Sequence, residues 1–209
     1  MFLFADYVVW NGIEFLGAVV TRTIPFIDKA VLIDTRSTDG TWELAQALAS
    51  RHKNLEIVQA GSIAPSYRID RVRNIGWTKA PANTTWHWNI ADDEIYNVED
   101  LPKLRKFLED HEKGTERFVK LKFWEYGLVA IDKPLGASAS CRAMIHRYDP
   151  RARWSGTWGR EAVIYPDGRH HVNAAANDWL DPNIHYHHFN WLRCKQKQTC
   201  EIYGTLYRR

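Results

Sequence analysis

The amino-acid sequence predicts an α/β fold with a mostly parallel central sheet flanked by helices and a less regular C-terminal region. Short apolar runs alternate with helical patterns over residues 2–79, which is the order of βαβ units. A strongly apolar run at 85–90 then ends in three consecutive acids, as a buried parallel strand ends where it leaves its sheet. With 209 residues and 45% hydrophobic content, we expect a single domain over residues 1–209.

The first half of the chain supplies the parallel units. The patterns predict strands at 2–9, 30–33, 55–58 and 85–90, and helices at 13–24, 42–51, 67–79 and 101–112. Asp39, Gly40 and Thr41 can cap the second helix. Because the carboxyl ends of parallel strands meet at one edge of the sheet, we expect Asp34 to face the same crevice as the acids after residue 90.

From residue 118 the pattern changes. Alternating polar and apolar residues predict strands at 118–124 and 141–148, and Tyr165-Pro166-Asp167-Gly168-Arg169 predicts a hairpin turn. A histidine-rich segment at 185–188 is followed by a basic tail. This half therefore reads as less regular than the first.

Composition excludes several classes. The net charge of +3 is mild and does not require a nucleic-acid partner, although it permits an anionic one. Three cysteines without CxxC spacing indicate neither a disulfide framework nor a zinc knuckle. The first ten residues read as a strand, not a signal peptide, and no apolar run has transmembrane length, so we expect a soluble, cytoplasmic protein without an integral membrane segment.

The acids Asp92, Asp93 and Glu94 have two interpretations. Adjacent carboxylates at a strand end are costly unless a cation lies between them, and Mg²⁺ and Mn²⁺ bind through one or two carboxylates together with substrate phosphates. Taken alone, three acids favour an ordinary solvated loop. The neighbouring motifs decide between these interpretations.

Four stretches carry a resemblance to family-2 glycosyltransferases with the GT-A fold. Residues 34–41, Asp-Thr-Arg-Ser-Thr-Asp-Gly-Thr, resemble the Asp-x-x-Ser-x-Asp-Gly-Thr signature of that family. Residues 10–16 are similar to its Asn-Glu-x-x-x-Leu stretch, with Gly12 where an acid is usual. Residues 73–76 resemble its Arg-Asn-x-Gly helix, and residues 90–94 resemble its strand-terminal acidic motif.

The resemblance implies that residues 1–100 bind a nucleotide-sugar and that residues 101–209 bind the acceptor. In the donor half it implies that Asp34 contacts the base, that Arg68 reaches the base or phosphate, and that Asp92 meets the ribose. Asp39 belongs to the same signature and is counted with the donor-binding residues. Asp93 would hold a Mn²⁺ or Mg²⁺ ion that bridges the two phosphates.

The second half resembles small bacterial members of the family more weakly, through residues 142–147 and 154–161. That similarity makes Glu161 the first candidate for the general base, although an ion pair with a nearby arginine is an equal alternative for its carboxylate. Asp132 and Glu125 are weaker candidates.

The histidines at 185–188 add a further metal candidate. In GT-A enzymes a C-terminal histidine often completes the metal site, so the resemblance favours His187 or His188 as a ligand beside Asp93. In an extended segment His185 and His187 share one face, and His188 points the other way. Plain packing and a separate zinc site are the alternatives.

The resemblance implies a metal-dependent, inverting glycosyltransferase with a nucleotide-sugar donor, for which UDP-sugars are favoured, and an acceptor that is a surface glycan or a modified DNA base. One rival is a nucleotidyltransferase on a GT-A-like fold, which usually has a Gly-rich loop after its first strand. The other is a non-catalytic carbohydrate- or nucleic-acid-binding module that uses the ten tryptophans and the arginines. No P-loop or Gly-x-Ser-x-Gly motif is present.

Overall fold

The computed structural model describes residues 1–61, 69–125, 136–156 and 161–189, without the side chains of 125 and 136–143. The strands are β1 Leu3–Val9, β2 Lys29–Asp34, β3 Leu55–Gln59, β4 Trp86–Ala91, β5 Glu94–Tyr96, β6 Phe118–Glu125, β7 Gly136–Arg147, β8 Arg153–Ser155, β9 Ala162–Ile164, β10 Trp179–Leu180 and β11 His185–His188. The helices are α1 Leu16–Thr23, α2 Thr41–Arg51, α3 Ile69–Lys79 and α4 Leu101–Asp110.

The main sheet has the strand order β3-β2-β1-β4-β7-β6-β11-β5, with β10 beside β6. Strands β3, β2, β1 and β4 are parallel, β7 is antiparallel to both of its neighbours, and β11 is parallel to β6. Strands β8 and β9 form a separate antiparallel pair. The α/β class with a central sheet flanked by helices, predicted from the sequence, is confirmed.

The sheet curls because of a two-residue connection. Asp92 and Asp93 alone join β4, in the middle of the sheet, to β5, at its end. So short a link requires the far strands to bend back toward β4. The Trp88 and Tyr96 rings, 4.9 Å apart at 84°, pack inside this bend. As a result β11, which pairs with β5, lies next to the acidic turn.

The two faces of β1 contact different helices, as its alternation requires. Leu3, Ala5, Tyr7 and Val9 belong to the core cluster that includes residues of α1, α2 and α4. On the other face, Phe4 packs with Val72 of α3. Strand β1 is thus covered on both sides, which accounts for its nearly continuous burial.

Two local expectations need correction. The first helix begins at Leu16, not at residue 13, because the backbone of residues 11–13 is bonded to the next loop, and a 3₁₀ turn at Ile24–Phe26 follows it. The turn at Tyr165–Arg169 forms, with a 3.0 Å bond from Tyr165 N to Arg169 O, but it joins no strand pair, because β9 pairs with β8 instead. None of the described helices is long and apolar enough to cross a membrane.

Candidate active site

The site lies at the carboxyl edge of the parallel strands. Val9, the last residue of β1, pairs with Asp34, and Val8 pairs with Ala91, the residue before Asp92. Asp34 and Asp92 therefore stand at the same level on either side of β1. Since neighbouring strands are about 4.8 Å apart, their backbones are separated by about 10 Å. The juxtaposition that strand order predicted is present.

Asp34 is fully buried and shapes the loop that follows β2. Its carboxylate accepts hydrogen bonds from the backbone N–H of Arg36 at 3.0 Å and of Ser37 at 3.2 Å, and from the Gln59 amide at 3.4 Å. Arg36 adopts a left-handed conformation, with φ of 64°. A side chain with this many internal bonds holds the loop in place.

The loops after β1 and β2 are fastened to each other. Asn11, with φ of 48°, donates its backbone N–H to Ser37 Oγ at 2.8 Å and accepts the Thr38 N–H on Oδ1 at 2.8 Å. The Gly12 N–H donates to Thr41 Oγ1 at 2.9 Å. This edge of the crevice is therefore a preformed surface of two loops bonded together.

Asp39, predicted as a donor-binding residue, also fastens the two loops. Its carboxylate accepts the Ile13 N–H at 3.2 Å, the Thr41 N–H at 3.1 Å and the Thr41 hydroxyl at 2.6 Å. The Thr41 bonds satisfy groups at the start of α2, as a cap does. The helix-capping expectation for Asp39 thus has structural support, and a donor contact stays a prediction.

Asp92 lies directly against Gly12. A β-carbon on Gly12 would overlap Asp92 Oδ2 and would lie 3.0 Å from Asp92 Cγ and 2.7 Å from Val9 Cγ2. Asp92 itself is 5% exposed. This contact explains why glycine stands where the resembling motif has an acid: a side chain there would meet the Asp92 carboxylate, and an acidic one would add like charge.

Asp93 is paired with one of the two candidate histidines. His188 Nε2 lies 3.5 Å from Asp93 Oδ2, with both side chains buried, and the Phe189 N–H donates to the Asp93 carbonyl at 3.0 Å. His187 alternates to the other face of β11, where burial, followed by the charge of Arg22, lowers its pKa. His188 is the member of this pair that the described ion pair brings to Asp93.

Glu94, to which the sequence assigned no role, stabilises the acidic turn. It is fully buried, and its Oε2 accepts the Ala91 N–H at 3.2 Å and the Tyr96 hydroxyl at 3.3 Å. These bonds connect the end of β4 to β5 across the two aspartates. Glu94 thus holds the turn that presents Asp92 and Asp93.

The donor set fits a Mn²⁺ or Mg²⁺ ion in part. A carboxylate oxygen and an imidazole nitrogen from adjacent chain segments suit Mn²⁺, and oxygen ligands suit both ions. Among the described residues, no three His, Cys, Asp or Glu side chains form a complete metal site. An ion held by Asp93 and His188 would therefore take its other ligands from phosphate oxygens and water, as these cations commonly do.

Glu161 has a charged partner. Arg73 Nη2 lies 3.4 Å from Glu161 Oε1, and the Arg73 guanidinium stacks 4.7 Å from the centre of the Trp154 ring. Burial lowers the pKa of His171, an effect that the nearby charge of Glu161 opposes. The ion pair with an arginine, one of the two alternatives for Glu161, is thus present. A carboxylate held by an arginine can still act as a base.

Three of the named candidates cannot be placed. Arg68 and Asp132 lie outside the described residues, and so does the side chain of Glu125. Sequence reasoning also assigned no role to Arg73 and Asn74, although both belong to a motif that it identified. The motif was therefore visible in the sequence, but it does not indicate that Arg73 and Asn74 contact residues in the second half of the chain.

Comparison with known protein structures identifies the fold type. No family model and no curated protein sequence matches the chain. Crystal structures of S. aureus TarS 1–349, alone and in complex with UDP, match at a TM-score of 0.50 and 15% identity, over 71% of this chain and 47% of theirs. The chain thus spans about half the length of these TarS structures.

The matches include two further structures of different activity. The 4-diphosphocytidyl-2C-methyl-D-erythritol synthase of Anaerococcus prevotii matches at a TM-score of 0.52 and 9% identity, over 100% of this chain and 96% of that one. The Pyrobaculum calidifontis mannosyltransferase PcManGT, in complex with GDP-Man and Mn²⁺, matches at 0.45 and 16% identity over 57% of this chain and 34% of that one, too weakly to support an inference. At these identities the likeness concerns the fold alone, and the GT-A glycosyltransferase fold predicted from the motifs is confirmed.

Proposed function

We propose that this protein is a metal-dependent, inverting glycosyltransferase that moves a sugar from a nucleotide-sugar, preferably a UDP-sugar, to a hydroxyl of a glycan acceptor. The observation that carries the proposal is the pairing of Asp93 with His188 beside Asp92, at the carboxyl edge of the parallel strands. Open α/β sheets bind their ligands at this edge.

The candidate residues of the donor half have different proposed roles. Asp34 and Asp39 hold the two loops that form one wall of the crevice, and Asp34 is proposed to contact the nucleobase as well. Asp92 is proposed to accept hydrogen bonds from the ribose hydroxyls. Arg68 is proposed to reach the base or a phosphate, as the resemblance implies.

Asp93 and His188 are the residues proposed to hold the metal. A bound Mn²⁺ or Mg²⁺ supplies positive charge that offsets the diphosphate and stabilises it as a leaving group. The two side chains are buried next to each other in the folded chain, so little rearrangement is needed to present them.

Glu161 is the proposed general base. Its carboxylate takes the proton of the acceptor hydroxyl as that oxygen attacks the anomeric carbon, and the bond between that carbon and the diphosphate oxygen breaks. The new glycosidic bond forms on the face opposite the leaving group. One displacement with one base therefore inverts the configuration.

Nucleotidyl transfer is the rival that the fold leaves open, since the Anaerococcus prevotii synthase matches over the whole chain and its name denotes a diphosphocytidyl product. A loop that cradles a nucleotide's phosphates uses successive free backbone N–H groups. In this protein the N–H groups of Asn11, Gly12 and Ile13 are already donated to side chains of the next loop. The loop after β1 is therefore closed to that use, which favours glycosyl transfer.

A glycan is the acceptor class we propose, because no observation among the described residues favours a DNA base. A non-catalytic binding module is the remaining rival. Such a module would bind sugars or nucleotides without metal and without turnover.

The experiment is a panel of UDP-, GDP- and dTDP-sugars, scored for release of the nucleoside diphosphate with Mn²⁺ and with EDTA. We expect release that needs the metal. Release of pyrophosphate from CTP or UTP with a sugar phosphate would instead support nucleotidyl transfer. Calorimetric binding of UDP that is equal with Mn²⁺ and EDTA, without turnover, would support the binding module.

A further inference from the structure

The α3 segment Arg73-Asn74-Ile75-Gly76 contacts three separate parts of the molecule. Its first contact is with the acceptor half: the Arg73 guanidinium lies 3.4 Å from Glu161 Oε1 and 4.7 Å from the centre of the Trp154 ring. Both charged side chains are only 16% exposed. An ion pair shielded to this degree, with its cation over an aromatic ring, has a more restricted geometry than a surface pair.

The second contact fixes the strand pair that carries Glu161. Asn74 Nδ2 donates to the Trp154 carbonyl at 2.8 Å, and Asn74 Oδ1 accepts the Trp154 N–H at 2.8 Å. Through these two bonds Asn74 binds β8 as a neighbouring strand would. Within the β8–β9 pair, Ser155 lies opposite Ala162, the residue after Glu161. The position of Glu161 is therefore set relative to α3.

The third contact seats α3 on the sheet. A β-carbon on Gly76 would lie 2.7 Å from Asp6 Cβ, so only glycine allows the helix to come this close to β1. Asp6 is fully buried and is bonded to the Asn89 amide at 2.6 Å. Helix α3 is thus fixed to β1 and β4, the strands whose ends carry Gly12 and Asp92.

We infer that Arg73 is the positioning residue for Glu161: it holds one carboxylate oxygen so that the other can receive the proton of the acceptor hydroxyl. Oε1 is the oxygen that Arg73 contacts. Oε2 is buried and has no hydrogen-bond partner among the described residues. This inference rests on the proposed function, and it gives the Arg-Asn-x-Gly segment a role: it ties the base to the donor edge through a single rigid helix.

The test is a double-mutant cycle on kcat for metal-dependent UDP release, using the UDP-sugar that the wild type cleaves fastest. The variants are Arg73→Gln, Glu161→Gln and the double variant, with Arg71→Gln, an exposed arginine of the same helix, as the matched control. We expect Arg73→Gln to lower kcat about tenfold to a hundredfold, with the donor KM changed less than about threefold, because misplacing a base impairs the chemical step and not donor binding.

Since Arg73 acts through Glu161, the double variant should be no slower than Glu161→Gln alone. Guanidinium chloride at low concentration should partly restore Arg73→Ala and should leave Arg71→Ala unchanged. A merely structural Arg73 would lower thermal stability and show neither the non-additivity nor the rescue.

The outcomes separate this inference from the function it rests on. Two results would show that the positioning role is wrong while the proposed function stands, provided that the wild type releases UDP. In the first, the losses in kcat of the two single variants multiply in the double variant. In the second, Arg73→Gln keeps kcat within about twofold while Glu161→Gln does not. If the wild type releases no nucleoside diphosphate from any nucleotide-sugar of the panel under any metal condition, the proposed function and this role are both wrong.

Discussion

The carboxylate of Asp92 occupies the space where a side chain on Gly12 would lie. The loop after β1 and the acidic turn are therefore in direct contact at the carboxyl edge of the parallel strands, and the missing side chain at position 12 permits this contact. The contact connects two sequence motifs that are 80 residues apart. The acidic turn can take this position because residue 12 has no side chain.

Gly12→Ala should displace Asp92 and weaken UDP binding. The added methyl group overlaps the carboxylate and approaches Val9, so either the loop or Asp92 must move. We expect the Kd for UDP with Mn²⁺, measured by calorimetry, to rise about tenfold or more. Gly17→Ala is the matched control: its β-carbon would have Leu44 Cδ2 at 3.9 Å as its nearest neighbour, and alanine should stabilise α1 by about 0.5–1 kcal/mol. Equal UDP affinity in both variants would refute the contact.

His187 and His188 of β11 should behave differently. His188→Ala removes the imidazole beside Asp93 and should weaken Mn²⁺ binding in the presence of UDP about tenfold or more, measured by calorimetry or by manganese electron paramagnetic resonance. His187→Ala alters the opposite face of the strand, next to Arg22, and should leave the Mn²⁺ affinity within about twofold. The reverse ranking would move the proposed ligand to His187.

Asp39 should matter for the fold of the crevice wall. Asp39→Ala removes the acceptor for the Ile13 N–H and for the start of α2, which should lower the free energy of unfolding by about 1 kcal/mol. Urea denaturation measures this change. Asp39→Asn keeps an acceptor oxygen and should recover part of the loss; a variant with wild-type stability but no UDP binding would instead assign Asp39 to the donor.

Asp6 and His87 should give opposite pH dependences of stability. Burial, opposed by Arg73 and Asn89, raises the pKa of Asp6 from 3.8 to about 7. The native state thus keeps a proton that the unfolded chain has released between about pH 4 and 7, so this group makes the unfolding free energy fall as pH rises. Burial, with Arg73 adding to it, lowers the pKa of His87 from 6.5 to about 3, so this group makes the unfolding free energy rise between about pH 3 and 6.5.

The two effects nearly cancel between about pH 4 and 6.5, and Asp6→Asn should remove the cancellation. The unfolding free energy of this variant minus that of the wild type should increase by about 1.4 kcal/mol per pH unit over that range. His87→Gln should show the opposite slope. Urea denaturation at each pH gives both values, and parallel profiles for variant and wild type would contradict the assignment.

The strand ends could be predicted from the sequence because local pattern determines them. An apolar run that stops at Asp34, and another that stops before Asp92, must place both acids at one edge once the strands are parallel. No such rule relates His188 to Asp93. Their contact depends on the pairing of β5 with β11 and on the curl of the sheet, which arise from packing across some 90 residues of chain.

Side-chain roles were harder to predict than positions. A carboxylate in a polar turn can bind a ligand or cap a helix, and Asp39 makes capping bonds that its residue type alone does not distinguish from a donor contact. Glu161 likewise fits both a base and an ion pair, and its partner Arg73 is 88 residues away in the chain. The role of each of these carboxylates depends on which residues the fold places next to it.

The central claim, that a metal held by Asp93 supports cleavage of a nucleotide-sugar, is tested most directly by UDP release in wild type and Asp93→Asn. Asp110→Asn, on the exposed side of α4, is the matched control. We predict Mn²⁺-dependent release in the wild type and in the control, and a loss of about a hundredfold or more in Asp93→Asn. Full metal-dependent release by Asp93→Asn would contradict the account.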